Sequence, residues 1–65
     1  MKLLVNGKSR DFNAKTVEEL IIDLKLNNRM LYIQLNGKPI KKEEYKTAML
    51  KENDCIDIIS AVGGG

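Results

Sequence analysis

The feature that most limits the fold of this chain is a single amphipathic helix pattern, in residues 17–24, set among short runs with the two-residue period of strands. Thr16 and Glu19 have the spacing of a capping box, which predicts that the helix begins here. The apolar residues that follow recur at helical spacing and predict one buried face; they are Val17, Leu20, Ile21 and Leu24. Asn27 and Asn28 are expected to end the helix.

The rest of the pattern predicts a sheet. Strands are predicted at residues 3–5, 9–12, 30–35 and 55–59, and a short helical turn at residues 41–45. Asn6-Gly7 favours a tight hairpin turn between the first two strands. Asn36-Gly37 is predicted to turn the chain again, and Pro39 argues against a long central strand just after it. Because one amphipathic helix cannot cover two faces of a sheet, the expected fold is α+β, with the helix across one face.

Length and composition limit the class of protein. A chain of 65 residues supports one small domain. Cys55 is its one cysteine, which indicates a reducing compartment, and the apolar run at the N-terminus is too short for a signal peptide or a membrane span. We therefore expect a cytoplasmic protein that does not bind a membrane. Acidic and basic residues are interspersed at a net charge of +2, which argues against nucleic acid as a partner.

The residues needed for common catalytic and metal sites are scarce. The chain has no histidine, which removes the usual triads and most zinc sites, and no metal is expected to bind. Cys55 also lacks a histidine to activate it, so a packed or partly exposed strand position is its expected role.

Three glycines, residues 63–65, follow the last predicted strand and close the sequence. We expect a folded domain over residues 1–62 and a flexible tail over residues 63–65, because glycine has the most backbone freedom to lose on ordering. Without Cβ atoms, such a tail can enter a narrow slot in a partner and reach roughly 10 Å beyond Val62. The alternative interpretation is a frayed terminus without function.

The whole pattern resembles the ThiS type of small sulfur carrier in thiamin biosynthesis, part of the ThiS/MoaD family with a ubiquitin-like β-grasp fold and a mixed sheet. The resemblance rests on Val5-Asn6-Gly7, residues 16–20, Leu35-Asn36-Gly37, Leu50, Asn53-Asp54, Ile56-Asp57-Ile58 and Val62-Gly63-Gly64-Gly65. Two residue pairs depart from the family pattern: Asn53-Asp54 replaces a frequent Gly-Asp, and Lys41-Lys42 replaces a frequent Pro-Arg. Asn in place of Gly suits a turn because it also accepts left-handed φ angles.

The resemblance implies a carrier that is not itself an enzyme and binds no cofactor. An E1-like adenylating enzyme of the ThiF type would use ATP and magnesium to adenylate the carboxylate of Gly65. Sulfur from a cysteine desulfurase or another donor would then give a thiocarboxylate, which passes its sulfur to a thiazole synthase of the ThiG type. Val62, Gly63 and Gly64 would thread the tail into these partners.

The sheet face opposite the helix is the predicted partner surface. Leu4, Tyr32, Ile59 and Ala61 are expected there, because exposed apolar residues on one face commonly mark an interaction site. The alternative is scattered surface apolar residues without function. Three other functions stay open at this point: a carrier like the small subunit of molybdopterin synthase, a ubiquitin-like modifier, and an interaction module with an idle tail.

Overall fold

The structure is a computed structural model that describes residues 1–26 and 30–61. Within these residues the elements are β1 (Lys2–Val5), β2 (Lys8–Asp11), α1 (Val17–Asp23), β3 (Met30–Leu35), β4 (Lys38–Ile40), a 3-10 turn (Lys42–Glu44) and β5 (Cys55–Ala61). The strands form one sheet in the order β2-β1-β5-β3-β4. Among these described strands only the β1–β5 pair is parallel, so the sheet is mixed, and β5 is its central strand. The predicted α+β fold is confirmed.

Both predicted turns are present, and the second is also a hairpin, because a short strand that was not predicted, β4, follows it. Asn6 and Gly7 have φ angles of 53° and 83°, and Asn36 and Gly37 have 52° and 85°. Two successive positive φ angles are typical of the type I′ turn, which matches the twist of antiparallel strands. The first turn joins β1 to β2 and the second joins β3 to β4, where Pro39 lies in a three-residue strand at the sheet edge.

The predicted capping residues do start α1. Thr16 has an extended backbone, and its Oγ1 accepts the Glu19 N–H at 3.2 Å. The Glu19 carboxylate accepts the N–H of Lys15 at 2.7 Å, one residue earlier than in the standard capping box. Two backbone donors at the start of the helix therefore have side-chain acceptors.

The predicted end of α1 was wrong. Asn27 and Asn28 lie outside the described residues, and α1 already ends at Asp23. Lys25 has a φ of 60°, and the Leu26 N–H donates to the carbonyl of Ile21 at 2.9 Å, which is a Schellman motif. Glycine usually takes the left-handed position of this motif, and a lysine there gives no warning in the sequence.

The core lies between α1 and one face of the sheet. Its fully buried side chains come from both layers and are Leu3, Val17, Leu20, Ile33 and Ile56. Leu24 was predicted to be buried with the rest of the helix face, but it is half-buried at the core edge because the helix has ended. β5 is two residues longer than predicted, because Ser60 and Ala61 continue the antiparallel register with β3.

Candidate functional site

The candidate site combines β5 with the residues that follow it. Val62, Gly63, Gly64 and Gly65 lie outside the described residues, as does the domain boundary predicted at residue 62. The structure describes β5 up to Ala61, and β5 is bordered by β1 on one side and β3 on the other. The site is therefore built from the contacts that fix β5 and from the sheet face that surrounds it.

Two asparagines bind the backbone of β5 from opposite sides. Asn6 donates its N–H to the Ile56 carbonyl at 2.9 Å, and its Oδ1 accepts the Ile58 N–H at 2.8 Å. Asn36 donates its N–H to the Cys55 carbonyl at 2.7 Å, and its Oδ1 accepts the Cys55 N–H at 2.9 Å. The asparagine of each turn thus continues the hydrogen bonding to β5 just beyond the point where β1 or β3 ends. Together the two turns fix the register of β5.

The loop before β5 is fixed by a further set of hydrogen bonds. Asn36 Nδ2 donates to Asp54 Oδ1 at 3.1 Å, and Asp54 Oδ2 accepts the Lys51 N–H at 2.8 Å. Asn53 has a φ of 68°, the left-handed conformation that glycine and asparagine adopt most readily. The departure from Gly-Asp at this turn is therefore compatible with the fold.

An exposed apolar patch lies on the open face of the sheet beside the end of β5. Tyr32 and Ile59 are directly opposite each other in the β3–β5 register and are 50% and 61% exposed. Met30 lies on the same face of β3 and is 79% exposed. The sequence-based prediction omitted Met30, although its two-residue spacing from Tyr32 places both side chains on one face. Gln34 Nε2 donates to the Tyr32 hydroxyl at 3.1 Å, at the border of the patch.

Leu4 lies on the same open face but away from this patch. It pairs with Cys55, four residues before Ile59 along β5, which is a distance of about 13 Å at strand rise. Gln34 and Asp57 pair between the two positions. Leu4 is half-buried, Cys55 is exposed, and the side chain of Ala61 lies outside the described part of the chain.

The ionisable groups of the described residues lie at the surface. Residues 1–26 and 30–61 bury no polar or charged side chain completely and gather no cluster of metal-ligating side chains. Partial burial raises the pKa of the Tyr45 hydroxyl above its ordinary value of 10.0, because water no longer fully solvates the phenolate.

No helix in the described part of the chain has the length and apolar character needed to cross a membrane.

Comparison with known proteins gives matches along the full chain. The model of the ThiS family matches residues 3–65. The sulfur carrier protein ThiS of Bacillus subtilis is 32% identical over 65 residues, which cover 97% of this chain and 98% of that protein. A thiazole synthase of Paramagnetospirillum magneticum is 33% identical over 66 residues. That match takes in all of this chain but spans only about a fifth (20%) of the relative's length.

Two solved structures of thiamine biosynthesis proteins resemble this chain as well. The crystal structure of the thiamine biosynthesis protein ThiS from Geobacter metallireducens superposes with a TM-score of 0.83 at 29% identity, with both chains covered completely. The solution structure of a thiamine biosynthesis protein from the same organism gives 0.82 at 29% identity and covers 88% of that chain. The chain therefore belongs to the ThiS family and has a ubiquitin-like β-grasp fold.

Proposed function

We propose that this protein is the sulfur carrier of thiamin thiazole synthesis and that the carboxylate of Gly65 carries the sulfur. The observation that supports this most strongly is the family match, which extends through Gly65. The correspondence with the Bacillus subtilis sulfur carrier over almost the full length of both chains points the same way. In this role the protein is a co-substrate of its partner enzymes and not a catalyst.

The chemistry begins with a poor electrophile. A carboxylate resists attack by nucleophiles, so an E1-like enzyme first joins the Gly65 carboxylate to the α-phosphorus of ATP, with magnesium, and pyrophosphate leaves. The terminal sulfur of a persulfide on a cysteine desulfurase or another donor then attacks the acyl carbon, and AMP leaves an acyl disulfide behind. A thiol of a partner enzyme attacks the donor-side sulfur, so the S–S bond to the acyl sulfur breaks, a disulfide forms between the two enzyme sulfurs, and the thiocarboxylate is released. The resulting thiocarboxylate is nucleophilic through its sulfur, as thiolates are. The proposal places these steps in the cytoplasm, where an exposed thiol such as Cys55 stays reduced.

The folded body has two parts in this proposal. The turns at Asn6 and Asn36 hold the first half of β5, and pairing with β3 holds it as far as Ala61, the last described residue before Val62. Val62, Gly63 and Gly64 then thread into the partner, since backbone without bulky side chains fits a narrow channel. The position of the reacting carboxyl group thus depends on how firmly β5 is held.

The open face of the sheet is the proposed docking surface for these partners. Tyr32 and Ile59 would form its apolar centre. Leu4, which lies about 13 Å along the same face, and Ala61 are included in the proposed surface on the prediction from the sequence. Apolar residues that stay exposed on one face gain most from burial against a partner. Alanine at Leu4 and Ile59 should weaken partner binding without unfolding the chain; unchanged adenylation kinetics in a folded double variant would remove this surface from the proposal.

Thiazole synthase is the proposed acceptor of the sulfur. The Paramagnetospirillum magneticum relative, which bears that name, contains a segment similar to this whole chain. A carrier-like segment within a thiazole synthase is consistent with direct transfer between the two activities. Complementation separates this acceptor from its rival: we expect the gene to rescue a strain that requires thiazole and not one that lacks the small subunit of molybdopterin synthase.

Intact-mass spectrometry tests the carrier role. The chain is incubated with ATP, magnesium, a ThiF-type enzyme and a sulfur donor, and we expect the mass change of one oxygen-to-sulfur exchange. A chain without Gly65 serves as the matched control and should gain nothing while keeping its fold. Covalent attachment to other proteins in place of the exchange would identify a modifier, and an unchanged mass would support an interaction module.

A further inference from the structure

The backbone groups of β5 alternate between its two neighbours. Asn36 donates its N–H to the Cys55 carbonyl at 2.7 Å in register with β3, so the odd-numbered residues of β5 bond toward β3. Asn6 donates to the Ile56 carbonyl at 2.9 Å from the other side, so the even-numbered residues bond toward β1. The N–H and carbonyl groups of Ser60 consequently point to the β1 side.

β1 does not reach Ser60. It ends at Val5, and its register with β5 ends at Ile56. Beyond Ile56, Asn6 Oδ1 accepts the hydrogen bond of the Ile58 N–H, and the chain then turns away from β5 into β2. The Ile58 carbonyl and both backbone groups of Ser60 therefore form a short open edge in the middle of the described sheet. Ser60 Oγ is buried there and has no hydrogen-bond partner among residues 1–26 and 30–61.

A groove of about 390 Å³ lies beside this edge on the helix side of the sheet. Lys8 and Arg10 line it, together with Leu24 and Leu26 from the end of α1, and none of the described residues contributes an acidic side chain to its lining. Within the described residues neither cation forms an ion pair; Arg10 lies 5.1 Å from the centre of the Phe12 ring. As far as residues 1–26 and 30–61 show, the edge thus combines unpaired strand groups with positive charge that no ion pair compensates.

We propose that this edge accepts an extended acidic segment of a partner protein as an additional strand, in line with β1 and beside Ile58 and Ser60. Strand addition supplies acceptors and donors for the free backbone groups of the edge. Alternate side chains of such a segment face the groove, where carboxylates meet Lys8 and Arg10. A polar atom of the segment also gives Ser60 Oγ the partner that it lacks.

Strand addition here would also act on the tail. The added strand would lie beside the last described residues of β5, so it would restrain the end of β5 that precedes Val62 and the glycines in the sequence. A partner bound at this edge would therefore limit the directions in which Gly65 can be presented. This consequence rests on the proposed function, whereas strand addition itself does not.

Backbone NMR with a model peptide tests the proposal on the full chain. The probe is a capped six-residue peptide of alternating valine and glutamate, and the matched control has lysine in place of glutamate. We expect saturable shifts at Ser60 with the glutamate peptide, and amide exchange at Ser60 slowed at least about tenfold at saturation. Ile58 and Ile59 are internal controls, because their N–H groups already have partners in the free protein. Absence of a saturable Ser60 shift, or equal shifts with both peptides, overturns the proposal.

Charge reversal separates the groove from general electrostatics. Lys8→Glu with Arg10→Glu should reverse the preference toward the lysine peptide, since both side chains are exposed and neither belongs to the core. Lys38→Glu with Lys51→Glu makes the same change of net charge at exposed sites outside the groove and should keep the glutamate preference. The same loss in both double variants overturns the proposal. Sulfur transfer does not enter this measurement, so failure of the carrier role would leave its outcome intact.

Discussion

Replacing Asn6 with glycine isolates one hydrogen bond that holds β5. Asn6 has a φ of 53°, which glycine adopts without strain, so the substitution keeps the hairpin turn and removes only the side chain. The lost contact is the acceptor of the Ile58 N–H, at 2.8 Å in a partly buried position. We expect lower stability and faster amide exchange at Ile58.

The magnitude follows from burial. A partly buried N–H that loses its acceptor costs about 1–2 kcal/mol, and the added chain entropy of glycine roughly offsets its greater ease at a positive φ. In a domain of this size each kcal/mol lowers Tm by about 4–8 °C, so Tm should fall by roughly 5–15 °C. Asn36→Gly is the control at the equivalent turn position, because Asn36 has a φ of 52° and its two side-chain contacts, with the Cys55 N–H and with the Asp54 carboxylate, are both exposed. Water can replace both contacts, so their combined loss should cost about 0.5 kcal/mol.

Urea unfolding at equilibrium measures both costs, and hydrogen exchange measures the Ile58 amide. We expect Asn6→Gly to lose clearly more stability than Asn36→Gly and to lose its protection at Ile58. Equal costs for the two variants, or an Ile58 amide as slow as in the wild type, would refute the reasoning that the Asn6 side chain holds β5.

Three further perturbations test the fold. Lys25→Gly should raise the free energy of unfolding by about 0.5–1 kcal/mol, because glycine tolerates the φ of 60° at the end of α1. Lys25→Ala is the control and should give no gain. Equal melting curves for these two variants would contradict this prediction. The pKa of Tyr45 is raised on folding, so the contribution of its neutral hydroxyl to the free energy of unfolding should be fully present below pH 10 and be lost above it. Tyr45→Phe should remove this part of the pH dependence in melts from pH 8 to 11. Ile33 is 1% exposed, and Ile33→Ala should lower the free energy of unfolding in urea by about 2–5 kcal/mol. Ile59 is 61% exposed, and Ile59→Ala should lower it by less than about 0.5 kcal/mol. Comparable costs for the two variants would contradict the assignment of the core.

The elements that could be predicted from the sequence are those set by neighbouring residues. Asn-Gly pairs force a tight turn by their own backbone preferences, and a two-residue or helical period assigns faces without knowledge of the fold. The end of α1 could not be predicted in this way. Lys25 adopts a left-handed conformation that its side chain does not favour, because the Schellman motif and the packing of Leu26 at the core edge outweigh the local cost.

The candidate site also has some features that the sequence predicts and others that it does not. The shared face of Tyr32 and Ile59 follows from strand period, and Met30 could have been added by the same reasoning. The contact of Asn6 with Ile58 spans 52 residues, and nothing local to Asn6 indicates where its side chain points. The chemistry of Gly65 was inferred from the resemblance to a family, since no property of three glycines alone specifies a thiocarboxylate.

Fragmentation mass spectrometry of the intact chain tests the central claim most directly, because it locates the sulfur atom after reaction with ATP, the activating enzyme and the sulfur donor. Gly65 and the exposed thiol of Cys55 are the two positions to be distinguished. Sulfur at Gly65 appears as an oxygen-to-sulfur exchange, and sulfur at Cys55 appears as an added atom that Cys55→Ser removes. The account predicts exchange at Gly65, retained in Cys55→Ser; sulfur carried on Cys55 with an unchanged Gly65 would contradict it.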